Sequence, residues 1–246
     1  MIEEIIKQLP TATPFFVLAS GFLIGLLHAF EPDHLAAVST QISKLQSGTS
    51  TRRMLKTGTM RSSMIGLLWG AGHTTTLILM GLLAYALAIR IEQNVFSTME
   101  LLVGAMLIFL SVNTLLNKKT ILRHRHPHQH NDGTIHYDEH AHVDSDHKHK
   151  HRSYIIGCIH GLAGSGSLVV LTASTLSNIA MVLEFILIFG IGSLLGMTII
   201  SSIMGIPFVL TNKGARINKI SRYVTGALSL AIGANIVYQV TNNLLF

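Results

Sequence analysis

The sequence predicts an all-α membrane protein with six transmembrane helices, arranged as two inverted three-helix repeats. Three observations support this prediction. The 246-residue chain is 49% hydrophobic and only 12% charged, whereas soluble domains carry about 25% charged residues. Six apolar runs are each long enough to cross the hydrocarbon core of a bilayer, which takes about 20 residues. Short patterns in the first three runs recur in the same order in the last three.

The six predicted spans set the domain boundaries. They comprise residues 14–39, 62–89, 95–116, 154–177, 179–210 and 223–245. Residues 1–117 then form the first three-helix repeat, residues 118–153 a connecting loop, and residues 154–246 the second three-helix repeat. The second and fifth spans are longer than a perpendicular helix requires, so we expect them to be tilted or broken.

Positive charge gathers in three of the five connections between spans. These are the connections from span one to two, from three to four and from five to six, and the first and last of them contain no acidic residue. In a six-span chain these three connections lie on the same side of the membrane. Because loops rich in Lys and Arg stay in the cytoplasm, we expect a protein of the cytoplasmic (plasma) membrane with both termini outside.

The internal repeat is visible in one pattern per helix. The pairs that recur include His28 with His160, Gly72 with Gly196, and Gly104 with Gly226. Each repeat has an odd number of spans, so the second repeat must enter the membrane from the opposite side. This is the architecture of secondary transporters, whose binding sites lie near the midplane between the repeats.

Two imidazoles and two carboxylates lie within seven residues of the first span, at His28, Glu31, Asp33 and His34. Ionisable groups at membrane depth are costly and mark functional sites. On an ideal helix these side chains point in different directions. Pro32 cannot donate a hydrogen bond to the carbonyl of His28, and so it should break the helix there. The sequence therefore predicts a broken helix that lets these groups converge.

Two further histidines lie in predicted spans, one in a Gly- and Thr-rich stretch of the second and one in the fourth. Imidazole suits late first-row divalent metals, so the chemistry favours a metal site. The predicted metal ligands are His28, Asp33, His34 and His73, and the additional candidates are Glu31 and His160. A structural polar network and a proton or anion path are the alternatives for the first-span residues. A hydrogen bond between helices is the alternative for the other two histidines.

Ten of the 14 histidines lie in the 118–153 loop, together with acidic residues and almost no apolar ones. Such a segment cannot bury a core and should be disordered. Histidine-rich tracts bind metal, so we expect a cytoplasmic chelator that captures metal. Its histidines are His124, His126, His128, His130, His136, His140, His142, His147, His149 and His151.

The motif His28-x4-Asp33-His34 resembles the signature of the nickel/cobalt transporter (NiCoT) family. The chain is more similar to the shorter six-span relatives in that superfamily, the UreH/HupE-type nickel permeases. The Gly-His-Thr-Thr sequence around His73 resembles their second block, and residues 160–165 resemble the fourth-helix block of the UreH-like branch. This resemblance implies that the three motif residues bind metal with the assistance of His73, and that the first helix begins outside.

The chain departs from the long nickel-specific importers in two places, because Glu31-Pro32 and Leu27 stand where many of them have Asp-Ala and Arg. A histidine-rich cytoplasmic loop also resembles the nickel/cobalt exporters of the wider family. The resemblance therefore leaves the direction of transport open.

These observations predict a secondary-type permease for nickel or cobalt, with uptake favoured, and not an enzyme. The metal would be cargo, with no permanently bound cofactor, and no phosphate-binding G-x4-G-K-[ST] loop is present. The expected partners are the divalent metal ion, the lipid bilayer and cytoplasmic metallochaperones, with no nucleic acid. The alternatives are a nickel/cobalt efflux protein, a membrane metal sensor, and a thiol-redox relay, which would need a partner for the single Cys158.

Overall fold

A computed structural model describes residues 13–43, 51–86, 93–116, 123–129, 135–141, 146–162, 179–211 and 215–245. Over these residues the chain forms seven helices and one two-stranded sheet. The elements are α1 (Pro14–His28), α2 (Pro32–Ile42), α3 (Thr51–Ala86), α4 (Gln93–Leu116), β1 (Arg123–Gln129), β2 (Ile135–Ala141), α5 (Asp146–Gly161), α6 (Ile179–Thr211) and α7 (Ala215–Leu245). The predicted helical fold is confirmed for the described part of the chain except for the two strands of the histidine-rich segment.

Four of the described helices contain a stretch long and apolar enough to cross a bilayer. These stretches are Lys56–Leu83, Ser97–Leu116, Ala180–Leu210 and Arg216–Asn243. The bent pair of α1 and α2 passes the same test as one broken span, which brings the number to five. The predicted fourth span is described only as far as Leu162, and residues 163–178 lie outside the described part. The apolar helices mark an integral membrane protein, and the sixth span stays a prediction.

The long helices differ from the predicted spans at their basic ends. Helix α3 begins at Thr51 and α7 at Ala215, earlier than the predicted residues 62 and 223. The added turns are rich in Lys and Arg, which favour helix. Both long spans are single helices, and α6 continues through Pro207. The second and fifth spans, which were expected to be tilted or broken, therefore contain no break within the described residues of α3 and α6.

Helices α3 and α6 form the centre of the described fold and run antiparallel. Early in α3, Gly66 lies against Ser201, and late in α3, Gly81 lies against Ile186. Helix α1 packs on α6, α5 packs on α3, and α4 packs on α7. The short helix α2 contacts α3, α4, α6 and α7, so the polar residues of the first span are surrounded by other helices.

Glycines bring two helix pairs into backbone contact, α1 with α6 and α3 with α5. At the four closest of these contacts a Cβ atom on the glycine would collide with a carbonyl of the facing helix, so a larger residue would force the helices apart. The contacts are Gly25 with Phe189, Gly192 with Phe22, Gly157 with Trp69, and Gly72 with Tyr154. The two helix pairs therefore have a fixed spacing along these contacts.

The histidine-rich segment differs from the predicted disorder at two stretches. Strands β1 and β2 pair antiparallel, with Arg123 opposite Ala141 and Gln129 opposite Ile135. Antiparallel pairing satisfies backbone hydrogen bonds between strands without requiring an apolar core, which a composition argument does not consider. Helix α5 also begins inside this segment, at Asp146, where a carboxylate favours a helix N-terminus.

Candidate metal site

The first predicted span is broken where the sequence places Pro32. Helix α1 ends at His28, α2 begins at Pro32, and their axes differ by 52°. Glu31 is extended between them, with φ −62° and ψ 145°. The carbonyl oxygen of His28, which a proline cannot engage, accepts a hydrogen bond from the N–H of Glu31 at 3.1 Å. The backbone group freed by Pro32 is therefore satisfied, and the break carries no unpaired carbonyl at that residue.

Four buried histidines from four helices meet beside this break. His28 ends α1, His34 lies in the first turn of α2, His73 lies within α3, and His160 lies near the end of α5. Each is at most 3% exposed. The ring centroid of His34 lies 4.2 Å from those of His28 and His160 and 5.4 Å from that of His73. His34 is thus the centre of the cluster.

Two carboxylates hold three of these imidazoles. Glu31 Oε1 lies 2.8 Å from Nδ1 of His28. Asp33 uses both oxygens, with Oδ1 2.9 Å from Nδ1 of His34 and Oδ2 3.0 Å from Nε2 of His160. Asp33 also accepts a hydrogen bond from the N–H of His34 at 2.9 Å, and it lies in the first turn of its helix, where the helix dipole favours a negative charge. Asp33 therefore links α2 to α5.

The Nδ1 contacts determine which ring nitrogens can bind a ligand. A neutral imidazole that donates its Nδ1–H to a carboxylate carries its lone pair on Nε2. In His28 and His34 the Nε2 atoms are buried and have no hydrogen-bond partner among the described residues. Carboxylates bonded to the far nitrogen commonly orient metal-binding histidines in proteins. The geometry of both residues matches that arrangement.

The ligand atoms form two overlapping groups. His28, His34 and His73 make one group, and Asp33, His34 and His160 make the other; within each group all ligand atoms lie within 4.8 Å of one another. A nitrogen-rich set of this kind suits nickel, cobalt, copper or zinc better than magnesium or calcium. Unpaired buried nitrogens cost free energy, and a bound cation would offset that cost. The residues present therefore fit a late first-row divalent metal.

The structure brings together all six candidates that the sequence indicated in the predicted spans, and the four histidines among them are buried. Their positions refine the roles considered for them. Glu31, a candidate ligand, contacts an imidazole through its carboxylate while its side chain stays 40% exposed. His160, the counterpart of His28 in the predicted repeat, joins the site through Asp33.

Sequence reasoning missed two aromatic residues of the site. Trp69 is fully buried, and its ring centroid lies 5.4 Å from that of His34 and 5.5 Å from that of His160. Phe189 is also buried, 5.7 Å from the ring centroid of His28. The available signal was that Trp69, the only tryptophan of the chain, lies one helical turn before His73.

The loop histidines lie on other elements. His124, His126 and His128 belong to β1, and His136 and His140 belong to β2. His147, His149 and the exposed His151 belong to α5, whereas His130 and His142 lie outside the described residues. In the register of the sheet, His124 pairs with His140 and His128 with His136. Metal capture by this segment stays a prediction.

Comparison with known proteins places the chain in a family. No family model matches it, and no solved structure matches it significantly. Urease accessory protein UreH from Bacillus sp. (strain TB-90) is 34% identical over 223 residues, which cover 91% of each chain. Chloroplast protein FOR GROWTH AND FERTILITY 1 from Arabidopsis thaliana is 26% identical over 222 residues, 89% of this chain and 58% of that longer protein. Given the match to UreH over nearly the whole length of both proteins, the chain belongs to the UreH/HupE nickel permease family.

Proposed function

We propose that this protein transports a divalent transition-metal cation across the cytoplasmic membrane as a secondary-type permease. Nickel is the leading substrate, cobalt is the second, and uptake is the favoured direction. The observation that carries the proposal is the buried group of His28, His34 and His73, whose ligand atoms lie within 4.8 Å of one another. Such a cluster among apolar helices is costly unless it serves an ion or proton.

The choice of metal has two supports. Nitrogen ligands favour late first-row metals, and the Nε2 atoms of His28 and His34 are the buried atoms that would bind one. Membership in the UreH/HupE nickel permease family favours nickel among these metals. The ion would be cargo, released after each transport cycle, and no permanently bound cofactor is proposed.

The proposed architecture is a six-span inverted repeat, and the glycine contacts support it. Gly25 of α1 meets a carbonyl of α6, and Gly157 of α5 meets a carbonyl of α3. An inverted repeat exchanges these two contacts if α1 corresponds to α5 and α3 to α6. The contacts of Gly72 and Gly192 with the facing helices are exchanged in the same way. By these contacts the counterpart of Gly72 is Gly192. The recurring sequence pattern had instead paired Gly72 with Gly196, which lies one helical turn later.

The proposed orientation places both termini outside and the histidine-rich segment in the cytoplasm. It depends on the three connections rich in Lys and Arg. In that orientation the segment would capture, buffer or hand over metal on the cytoplasmic side, with metallochaperones as partners. The same segment favours a second candidate function, nickel or cobalt efflux, because an exporter would collect its substrate there.

The proposed mechanism begins with dehydration of the cation at the histidines beside the break. Glu31 and Asp33 keep the Nδ1 atoms of His28 and His34 engaged, so each Nε2 faces the ion as a neutral ligand. The carboxylates also balance the charge of the cation. Access would then alternate between the two sides as the repeats rearrange around the site.

Transport by purified protein in liposomes tests the proposal. Radioactive nickel uptake is measured with competing cobalt, zinc and manganese, with and without a pH gradient. His34→Ala should abolish uptake, because His34 belongs to both ligand groups. The matched control is Glu184→Gln, which alters an exposed polar residue of α6 and should leave uptake unchanged.

Two outcomes would overturn the proposal. Nickel uptake by His34→Ala at the wild-type rate would show that the buried group does not carry the substrate. Failure of the wild type to transport any of these metals in either direction would favour a metal sensor. Flux measured from nickel-loaded liposomes decides between uptake and efflux.

A further inference from the structure

Two buried aromatic side chains lie on opposite sides of the histidine cluster. Helices α3 and α6 are antiparallel, and Thr74 Oγ1 of α3 donates a hydrogen bond to the carbonyl of Gly190 in α6 at 3.1 Å. Phe189 therefore lies at the level of the turn that follows His73. Trp69 lies one turn before His73, so the backbone positions of Trp69 and Phe189 are about 9 Å apart along the helices at 1.5 Å per residue.

The histidines fill the space between these two rings. His28 contacts Phe189 at a centroid distance of 5.7 Å, and His34 contacts Trp69 at 5.4 Å. His28 and His34 lie 4.2 Å from each other. Phe189, His28, His34 and Trp69 thus form a continuous row of neighbouring rings, and the two middle rings carry the Nε2 atoms that have no hydrogen-bond partner among the described residues. Along the direction of α3 and α6, an ion leaving the site meets a ring on either side.

The backbone at both aromatic residues is held in place. Gly157 of α5 packs on the carbonyl of Trp69, and Gly25 of α1 packs on the carbonyl of Phe189. These are equivalent contacts in the proposed inverted repeat. Since neither backbone can retreat without separating a close helix pair, side-chain rotation is the movement left by which a ring would open the path.

We propose that Trp69 and Phe189 are the two gates of the metal site. Trp69 closes it toward the N-terminal end of α3, and Phe189 closes it toward the N-terminal end of α6. In the proposed orientation these are the cytoplasmic and the outer side. The inference rests on the proposed function, because it assumes that an ion occupies the space between the rings.

The test measures the release of bound nickel from the full-length protein toward each face. Membrane vesicles of both orientations are loaded with radioactive nickel, and an impermeant chelator is added outside. Nickel held by the His34→Ala variant is subtracted as binding elsewhere. Phe189→Ala should accelerate release about tenfold or more toward the outer face, as expected if the ring supplies about 1.4 kcal/mol of the barrier. Trp69→Ala should do the same toward the cytoplasmic face.

The controls separate a gate from a packing defect. Phe208→Ala removes a buried ring of the same helix α6 and should not accelerate release. Trp69→Phe and Phe189→Tyr keep a ring and should retain slow release. If the alanine variants fail to fold, Trp69→Leu and Phe189→Leu replace them and should show the same acceleration relative to the ring-retaining variants.

Three results would overturn the gates: no acceleration, acceleration of both variants toward the same face, or an equal effect of Phe208→Ala. If the wild type holds no more nickel than His34→Ala does, the proposed function is refuted, and the release experiment cannot test the gates. A fluorescence measurement without metal then tests the gates independently. Trp69 is the only tryptophan, so its fluorescence reports directly on access to the histidine cluster. Iodide added at the outer face should quench it in Phe189→Ala but not in the wild type, and equal quenching in both would refute the gates.

Discussion

At the scale of single residues, the site depends on which ring nitrogens of the histidines contact the two carboxylates and which remain for a ligand. Glu31 engages Nδ1 of His28, and Asp33 engages Nδ1 of His34. This leaves the buried Nε2 atoms of both rings for a ligand. Asp33 also holds His160 at 3.0 Å. The main role of the carboxylates is thus to orient the imidazoles. Asp33 can also bind an ion directly, as a member of the ligand group that it forms with His34 and His160.

Removing the charge of either carboxylate should weaken metal binding without abolishing the fold. We expect Glu31→Gln and Asp33→Asn to raise the dissociation constant for nickel by about 10- to 100-fold, the usual cost of losing a group that orients a metal-binding histidine. Titration calorimetry of the purified protein measures this. Glu184→Gln, at an exposed acid of α6, is the control and should bind like the wild type. Wild-type affinity in both site variants would contradict the assigned roles.

Acidification should weaken nickel binding at the buried site. A histidine must be neutral to bind a metal, so protons compete with the cation, and affinity is highest at neutral pH and falls as the pH decreases. Calorimetry at a series of pH values from neutral to mildly acidic measures the change. His151→Ala should follow the same curve, because that residue is exposed and outside both ligand groups. Affinity that rises on acidification would argue for a proton or anion site.

At the scale of elements, the break between α1 and α2 makes convergence possible. Side chains at His28, Asp33 and His34 diverge on an ideal helix, and the 52° bend brings them together. The sequence predicted this break because a proline has no N–H to bond the carbonyl four residues earlier and its ring clashes with that carbonyl. It could not predict that Glu31 would satisfy that carbonyl, or that Trp69 would pack on His34. Those outcomes depend on contacts between helices that are distant in the chain.

Restoring the hydrogen-bond donor at the break should impair transport. Pro32→Ala returns an N–H that can engage the carbonyl of His28, and alanine favours a continuous helix. We expect nickel uptake to fall by an order of magnitude or more, with a small gain in helix content. Uptake in liposomes and circular dichroism measure the two effects. Pro207→Ala, in a helix that is continuous already, is the matched control. Normal uptake by Pro32→Ala would show that the break is unnecessary.

At the scale of the whole molecule, each closely packed helix pair combines one helix of the first predicted repeat with one helix of the second. Helix α1 packs on α6 and α5 packs on α3, with glycines against carbonyls in both cases. The sequence predicted the repeat from recurring letters, but a Gly-rich helix allows alternative alignments one turn apart. The packing supports one of them, because the exchanged contacts of the two helix pairs relate Gly72 to Gly192 and Trp69 to Phe189 at the same register. The histidine-rich segment was predicted from composition alone, which gives no information about the pairing of β1 with β2.

Deleting residues 125–150 should separate transport from metal capture. The buried ligands lie outside this range, so we expect uptake at saturating nickel to stay within about twofold of the wild type, since the transport path keeps all its contacts. The number of nickel ions bound per chain should fall sharply. Uptake in liposomes and equilibrium dialysis measure the two quantities. Complete loss of flux in a protein of normal thermal stability would assign the transport site to the segment instead.

The central claim is that one buried site, organised by His34, binds the transported cation. The most direct test is a nickel titration of the protein lacking residues 125–150, compared with the same protein carrying His34→Ala. We expect one nickel ion per chain in the first protein and none in the second, with similar thermal unfolding of both. Equal nickel binding by the two proteins would contradict it.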